Sequence, residues 1–78
     1  MSYIVENIDS TGIDWAIKKE NALKNIVGRA RGKTTLPNEL SGLGSGEEQE
    51  IEYGGYKILE RTYYAGRTQQ IEFSLQIA

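Results

Sequence analysis

"EIEYGGYKILERTYYAGRTQQIEFSLQI", residues 50–77, decides the architecture of this chain. Its last eight residues alternate without a break, with Ile71, Phe73, Leu75 and Ile77 on one side and Gln70, Glu72, Ser74 and Gln76 on the other. A period of two is that of a strand with one face in the core and one outside. Upstream, Gly54-Gly55 fits a two-residue hairpin loop that pairs Tyr53 with Tyr56, Glu52 with Lys57 and Ile51 with Ile58. This register sets opposite charges across from each other and apolar residues across from each other, as cross-strand energetics prefer. A second turn around Ala65 to Arg67 returns the chain, and if it is also two residues long, Tyr56 and Ile58 share the face of the apolar row. The rival is one long strand from Gln49 to Tyr64 with a glycine bulge at 54 and 55. It leaves the matched pairs unused, so the expected form is a three-stranded meander.

Working outward, "SYIVENI" (residues 2–8) is dense in β-branched and aromatic residues and reads as a first strand. "DSTG" breaks it. Thr11 followed by Asp14 resembles a capping box with Asp in place of Glu, which starts a helix near Gly12 or Ile13. At 100° per residue, Trp15, Ala16, Ala22, Leu23, Ile26, Val27 and Ala30 form an apolar side, interrupted by Lys19, while Ile17 falls on the polar side. Gly32 is the expected stop, after a basic last turn that suits the helix dipole. A glycine-rich connector at about 33–47 follows, with the only proline, and Leu36, Leu40 and Leu43 are its candidate anchors to the core. The expectation is a small α+β single domain over residues 1–78: one amphipathic helix packed on a four-stranded, mostly antiparallel sheet, in the order β-α-β-β-β. Trp15, Leu23, Ile26, Ile71, Phe73 and Leu75 are its expected core.

Composition narrows the chemistry. The 78 residues include neither cysteine nor histidine, which excludes disulfides, thiolate zinc sites and nucleophile–histidine hydrolases. "MSYIVENIDS" lacks the basic and apolar regions of a signal peptide, and no apolar run approaches a membrane span, so a cytoplasmic protein is expected. "GRARGKTT" (residues 28–35) holds the Gly-Lys-Thr of a phosphate-binding loop, but only three residues separate Gly28 from Gly32 where four are needed. The segment also closes a helix, the electrostatically wrong end for an anion. "GLGSG" reads as flexible linker, and "EEQEIE" lacks the alternating ligands and glycine of a calcium loop. No catalytic residue, cofactor or metal is assigned.

Net charge is −2 and unevenly spread. Residues 18–33 carry six basic side chains against Glu20 alone, and residues 39–52 carry five glutamates and no base. Two functional readings follow. In the first, the sheet face opposite the helix presents Leu59, Arg61 and Tyr63, with Tyr64 and Arg67 nearby, as a protein-binding or self-association surface. Tyrosine and arginine are enriched in such interfaces, and five residues here are tyrosine. The protein would then be non-enzymatic, a regulatory module such as an inhibitor or an antitoxin-like partner. In the second, Lys18, Lys24, Arg29, Arg31 and Lys33 contact nucleic-acid phosphates. The acidic whole and the scatter of these bases around the helix put protein binding first.

Overall fold

A computed structural model describes residues 2–38 and 46–78, and its element order is the expected one. Strand β1 (Ser2–Asp9) leads to helix α1 (Trp15–Ala30), then to β2 (Glu47–Tyr53), β3 (Tyr56–Ala65) and β4 (Thr68–Ile77). The four strands form one antiparallel sheet in the order β1-β4-β3-β2. The hairpin register is the one read from the sequence, from Tyr53↔Tyr56 through Glu52↔Lys57 to Ile51↔Ile58. Gly54 and Gly55 have φ of 58° and 84°, the two left-handed positions of a type I′ turn, which matches strand twist and favours glycine. A Cβ on Gly54 would also come within 3.1 Å of Val27 on the helix. Gly54→Ala is therefore expected to cost about 1 kcal/mol or more, against a negligible change for a surface alanine elsewhere, as urea unfolding would measure.

The second turn is two residues, Gly66-Arg67, between paired Ala65 and Thr68. It puts Ile58 on the same face as the apolar row of β4, fully buried with Phe73. One cluster joins Ile4 and Ile8 of β1, Ala22, Leu23, Ile26 and Ala30 of α1, Ile58 of β3, and Ile71, Phe73, Leu75 and Ile77 of β4. Ile51, Tyr53 and Tyr56 pack against its edge. The Tyr53 hydroxyl donates to Glu20 Oε1 at 2.6 Å, tying the hairpin to the helix, and this carboxylate pushes the phenol above its ordinary pKa.

Two local expectations change, and one irregular residue finds its partner. Trp15 is the first residue of the helix, not a core residue, and is 43% exposed. Its side chain instead lines a shallow groove with Ser10, Lys19, Glu60, Thr62, Gln69 and Ile71. The helix begins at Trp15 behind Asp14, without a side-chain cap. Thr11 is taken up elsewhere, because its hydroxyl accepts the Gln69 N–H at 2.8 Å and fixes the loop to β4. The Thr11 N–H meanwhile donates to Asp9 Oδ1 at 2.8 Å. That bond, assisted by the Thr11 hydroxyl, lowers the Asp9 carboxyl pKa. A folded value below the unfolded one gives a contribution present above the unfolded pKa and lost as pH falls through the folded one. The irregular residue is Lys19. It sits beneath the helix where the apolar pattern is broken, and its Nζ lies 3.5 Å from Oε2 of buried Glu60.

The helix stops as expected, with Gly32 at φ 79° and the Lys33 N–H donating to the Ala30 carbonyl. The connector then enters the sheet. Below the Leu59↔Ser74 pair, β3 leaves β4, and Thr35 bridges Ile77 there. Leu36 N–H donates to Gln76, Ala78 N–H to Thr34, and the Asn38 amide to the Lys57 carbonyl. The backbone groups freed by the parting strands are satisfied in this way. Leu36 is half-buried. Leu40 and Leu43, its companions in the sequence reading, lie outside the described residues.

Candidate functional site

The register fixes what lies on the sheet face away from α1. Successive side chains of a strand alternate between faces, so this face takes Tyr3, Val5, Asn7 and Asp9 from β1 and Gln70, Glu72, Ser74 and Gln76 from β4. From β3 it takes Lys57, Leu59, Arg61 and Tyr63, and from β2 Glu48, Glu50 and Glu52. Paired residues form rows across all four strands: Val5–Ser74–Leu59–Glu50 and Asn7–Glu72–Arg61–Glu48. Among the described residues no helix or strand lies over this face.

Its polar centre is ordered. Arg61 Nη2 lies 3.4 Å from Glu72 Oε2, and the guanidinium carbon stacks 4.4 Å above the centre of the Tyr63 ring. The Asn7 amide reaches over β4 to donate to the Tyr63 hydroxyl at 2.8 Å. These contacts hold Arg61 and Tyr63 half-buried in one geometry, which lowers the entropy lost when such long side chains are later covered. Leu59 is half-buried, while Val5 and Tyr3 are 44% and 61% exposed. The apolar contribution is thus strongest toward β1. Lys57 and Arg61 are outnumbered on this face by Asp9, Glu48, Glu50, Glu52 and Glu72, so its balance is acidic.

Of the residues singled out from the sequence, Leu59, Arg61 and Tyr63 come together here. Tyr64 does not join them: alternation turns it to the helix side, where it is exposed beside Gly46, Glu47, Thr62 and Gln69. Arg67 is exposed in the tight turn after β3. Tyr3, Val5 and Asn7 were missed as members of the site. Their alternation is legible in the sequence, but their place beside β4 is a matter of strand order.

The basic residues are exposed and divided. Lys18 and Arg29, eleven residues apart, share one flank of α1, because three turns nearly complete the circle. Lys18 lines the groove between the helix and β1 with Asn21, Ala22 and Asn25, and also pairs with Asp14 at 3.7 Å. Lys24 stands about 120° round the helix from them. Arg31 and Lys33 lie past the last helical residue. Gly28 to Lys33 therefore forms a helix end and not a phosphate cradle.

Among the described residues no group of three or more acidic side chains is arranged to hold a metal ion. No helix among them is long and apolar enough to cross a membrane. Comparison of the chain with models of protein families, with curated proteins and with solved structures found no match.

Proposed function

We propose that this protein is a non-enzymatic, cytoplasmic binding module whose working surface is the sheet face opposite α1, in the manner of an inhibitor or antitoxin-like regulator. The observation that carries this reading is the pair of apolar side chains Val5 and Leu59, on either side of Ser74, beside the pre-ordered Arg61–Tyr63 stack, on a face without a second layer among the described residues. A domain of this length buries only about 60–65% of its unfolded surface, so covering a second face adds substantially to its stability. The acidic rim of Glu48, Glu50, Glu52 and Glu72 selects a protein partner that presents apolar groups ringed by lysine or arginine. The same rim repels phosphate, which disfavours nucleic acid on this face.

Retention of partners from lysate of the source cell, with mass spectrometry and nucleic-acid sequencing of what is held, tests the reading. Leu59→Asp should abolish capture of the partner, because covering an unpaired carboxylate costs several kcal/mol. Tyr63→Asp should do the same. Joint replacement of Lys24, Arg29 and Arg31 by alanine should leave capture intact. The reverse pattern, with nucleic acid in the eluate and a salt slope reduced by about 0.7–0.9 per charge removed, would transfer the function to the basic segment.

A further inference from the structure

The two edges of the sheet are not equivalent. β2 carries Glu47, Glu48, Glu50 and Glu52 within seven residues, and two copies paired along it would set carboxylates against each other. Charge of this kind is how edge strands are kept from pairing. β1 is less protected, with Glu6 and Asp9 as its two charges. It runs eight residues without proline, lysine or bulge, in unbroken register with β4 from Ser2↔Ile77 to Asp9↔Gln70.

The direction of its free backbone groups follows from one bond. Ser10 N–H donates to the Gln69 carbonyl at 2.8 Å, which makes Ser10↔Gln69 a hydrogen-bonded position. Such positions alternate along an antiparallel pair. Ile8, Glu6, Ile4 and Ser2 therefore aim their main chain at β4, and Tyr3, Val5, Asn7 and Asp9 aim theirs out of the sheet. The opposite side of β4 agrees, since Gln76, the partner of Tyr3, gives its carbonyl to Leu36 on the far side.

We propose that a second copy of this chain pairs with β1, antiparallel about a two-fold axis through Val5, to make one continuous eight-stranded sheet. This register sets Val5 opposite Val5, Tyr3 opposite Asn7, Ile4 opposite Glu6 and Ser2 opposite Ile8, with no like charges opposed. An axis through Glu6 would set the two Glu6 carboxylates face to face, and one through Ile4 would pair only residues 2–6. In the Val5 register Tyr3, Val5 and Asn7 of each copy exchange about six backbone hydrogen bonds. Glu6 lies on the helix side of the sheet, in the groove that it lines with Lys18, Asn21 and Asn25 of its own helix, and in this register it faces the apolar Ile4 of the other copy instead of a second carboxylate. Pairing joins the two Val5–Ser74–Leu59 rows end to end, so the face proposed above becomes one surface twice as wide. The pairing itself does not depend on what covers that face.

Sedimentation equilibrium of the wild-type protein should give a concentration-dependent mass reaching twice 8.7 kDa. The Tyr3, Val5 and Asn7 amides should gain protection from hydrogen exchange as the dimer fills. Val5→Pro removes an N–H that makes no bond to β4, and proline is tolerated on edge strands. This variant should keep the wild-type circular dichroism and sediment as a monomer. Leu59→Asp should remain dimeric while losing any open-face partner, which separates the two proposals. A wild-type protein that stays monomeric at millimolar concentration would overturn the pairing. So would a dimer that survives Val5→Pro, or one whose Tyr3, Val5 and Asn7 amides exchange as freely as in the monomer.

Discussion

Phe73→Ala is expected to remove most of the stability of this domain. Phe73 is fully buried at the centre of β4, flanked along its strand by Ile71 and Leu75. Its neighbours across the sheet are Glu6 on one side and Glu60 on the other. Truncating a buried phenylalanine costs about 3–5 kcal/mol, part lost transfer energy and part cavity. Here the half-buried neighbour Glu6 cannot close inward over the void without desolvation, and Glu60 is held in place by Gln49 and Lys19. A chain of this length has roughly 4–12 kcal/mol of total stability, so the melting temperature should fall by about 15 °C or more. Thermal unfolding followed by circular dichroism measures this directly. An unchanged melting temperature would show that the apolar row of β4 does not face the helix. Phe73→Leu should recover much of the loss, because it keeps most of the buried volume.

The second large effect is expected at Glu60, the one charged residue that is buried among the described residues. Glu60 is 6% exposed in the middle of β3. Its Oε1 accepts the Gln49 amide at 3.0 Å, while Oε2 accepts no hydrogen bond and has only the Lys19 ammonium at 3.5 Å. Lys19→Ala leaves that carboxylate buried without a counter-charge. Breaking such a pair costs about 3–5 kcal/mol, and the lower end applies because the lysine side chain is one-third exposed and water can take part of its role. The double replacement Lys19→Met with Glu60→Leu should restore the stability or exceed it, since apolar residues of similar volume avoid both desolvation terms. Gln49 is exposed and finds water instead. Urea unfolding of the single and double variants decides the matter. A double variant no more stable than Lys19→Ala would mean that the pair contributes through geometry and not through charge.

This ion pair also explains an irregularity that the sequence displayed without accounting for it. Lys19 breaks the apolar side of the helix, and Glu60 takes a core-facing place in β3 between Ile58 and Thr62. Each residue alone reads as a defect in a pattern. Only the packing of α1 on the sheet, over β1 and β4, brings Lys19 to Glu60 and makes them one interaction, because nothing local links positions forty-one apart.

The meander was legible for a physical reason. A two-residue glycine turn permits one register, and that register matched charge with charge and apolar with apolar from Ile51 to Ile58. The faultless alternation of β4 then identified the core face, and Gly32 identified the end of the helix. These are short-range determinants, carried by neighbouring residues and by the backbone freedom of glycine. Thr11 shows the limit of such signals: its hydroxyl had two uses, a helix cap or a bond to β4, and the distant Gln69 N–H took it. Trp15 was pulled out of the core in the same way, because the loop was anchored to β4 before the helix began. Leu59, Arg61 and Tyr63 could be assigned to one face from alternation alone. That Val5 and Asn7 complete this face, and that Tyr3, Val5 and Asn7 point their backbones outward, depends on β1 lying beside β4 at the edge. The sequence by itself determined the elements, the hairpin register and the apolar faces, since period and turn chemistry are local. Strand order, the Lys19–Glu60 pair and the exposed β1 edge were decided only by the tertiary structure, because each depends on which distant segments share a backbone hydrogen bond or a buried volume.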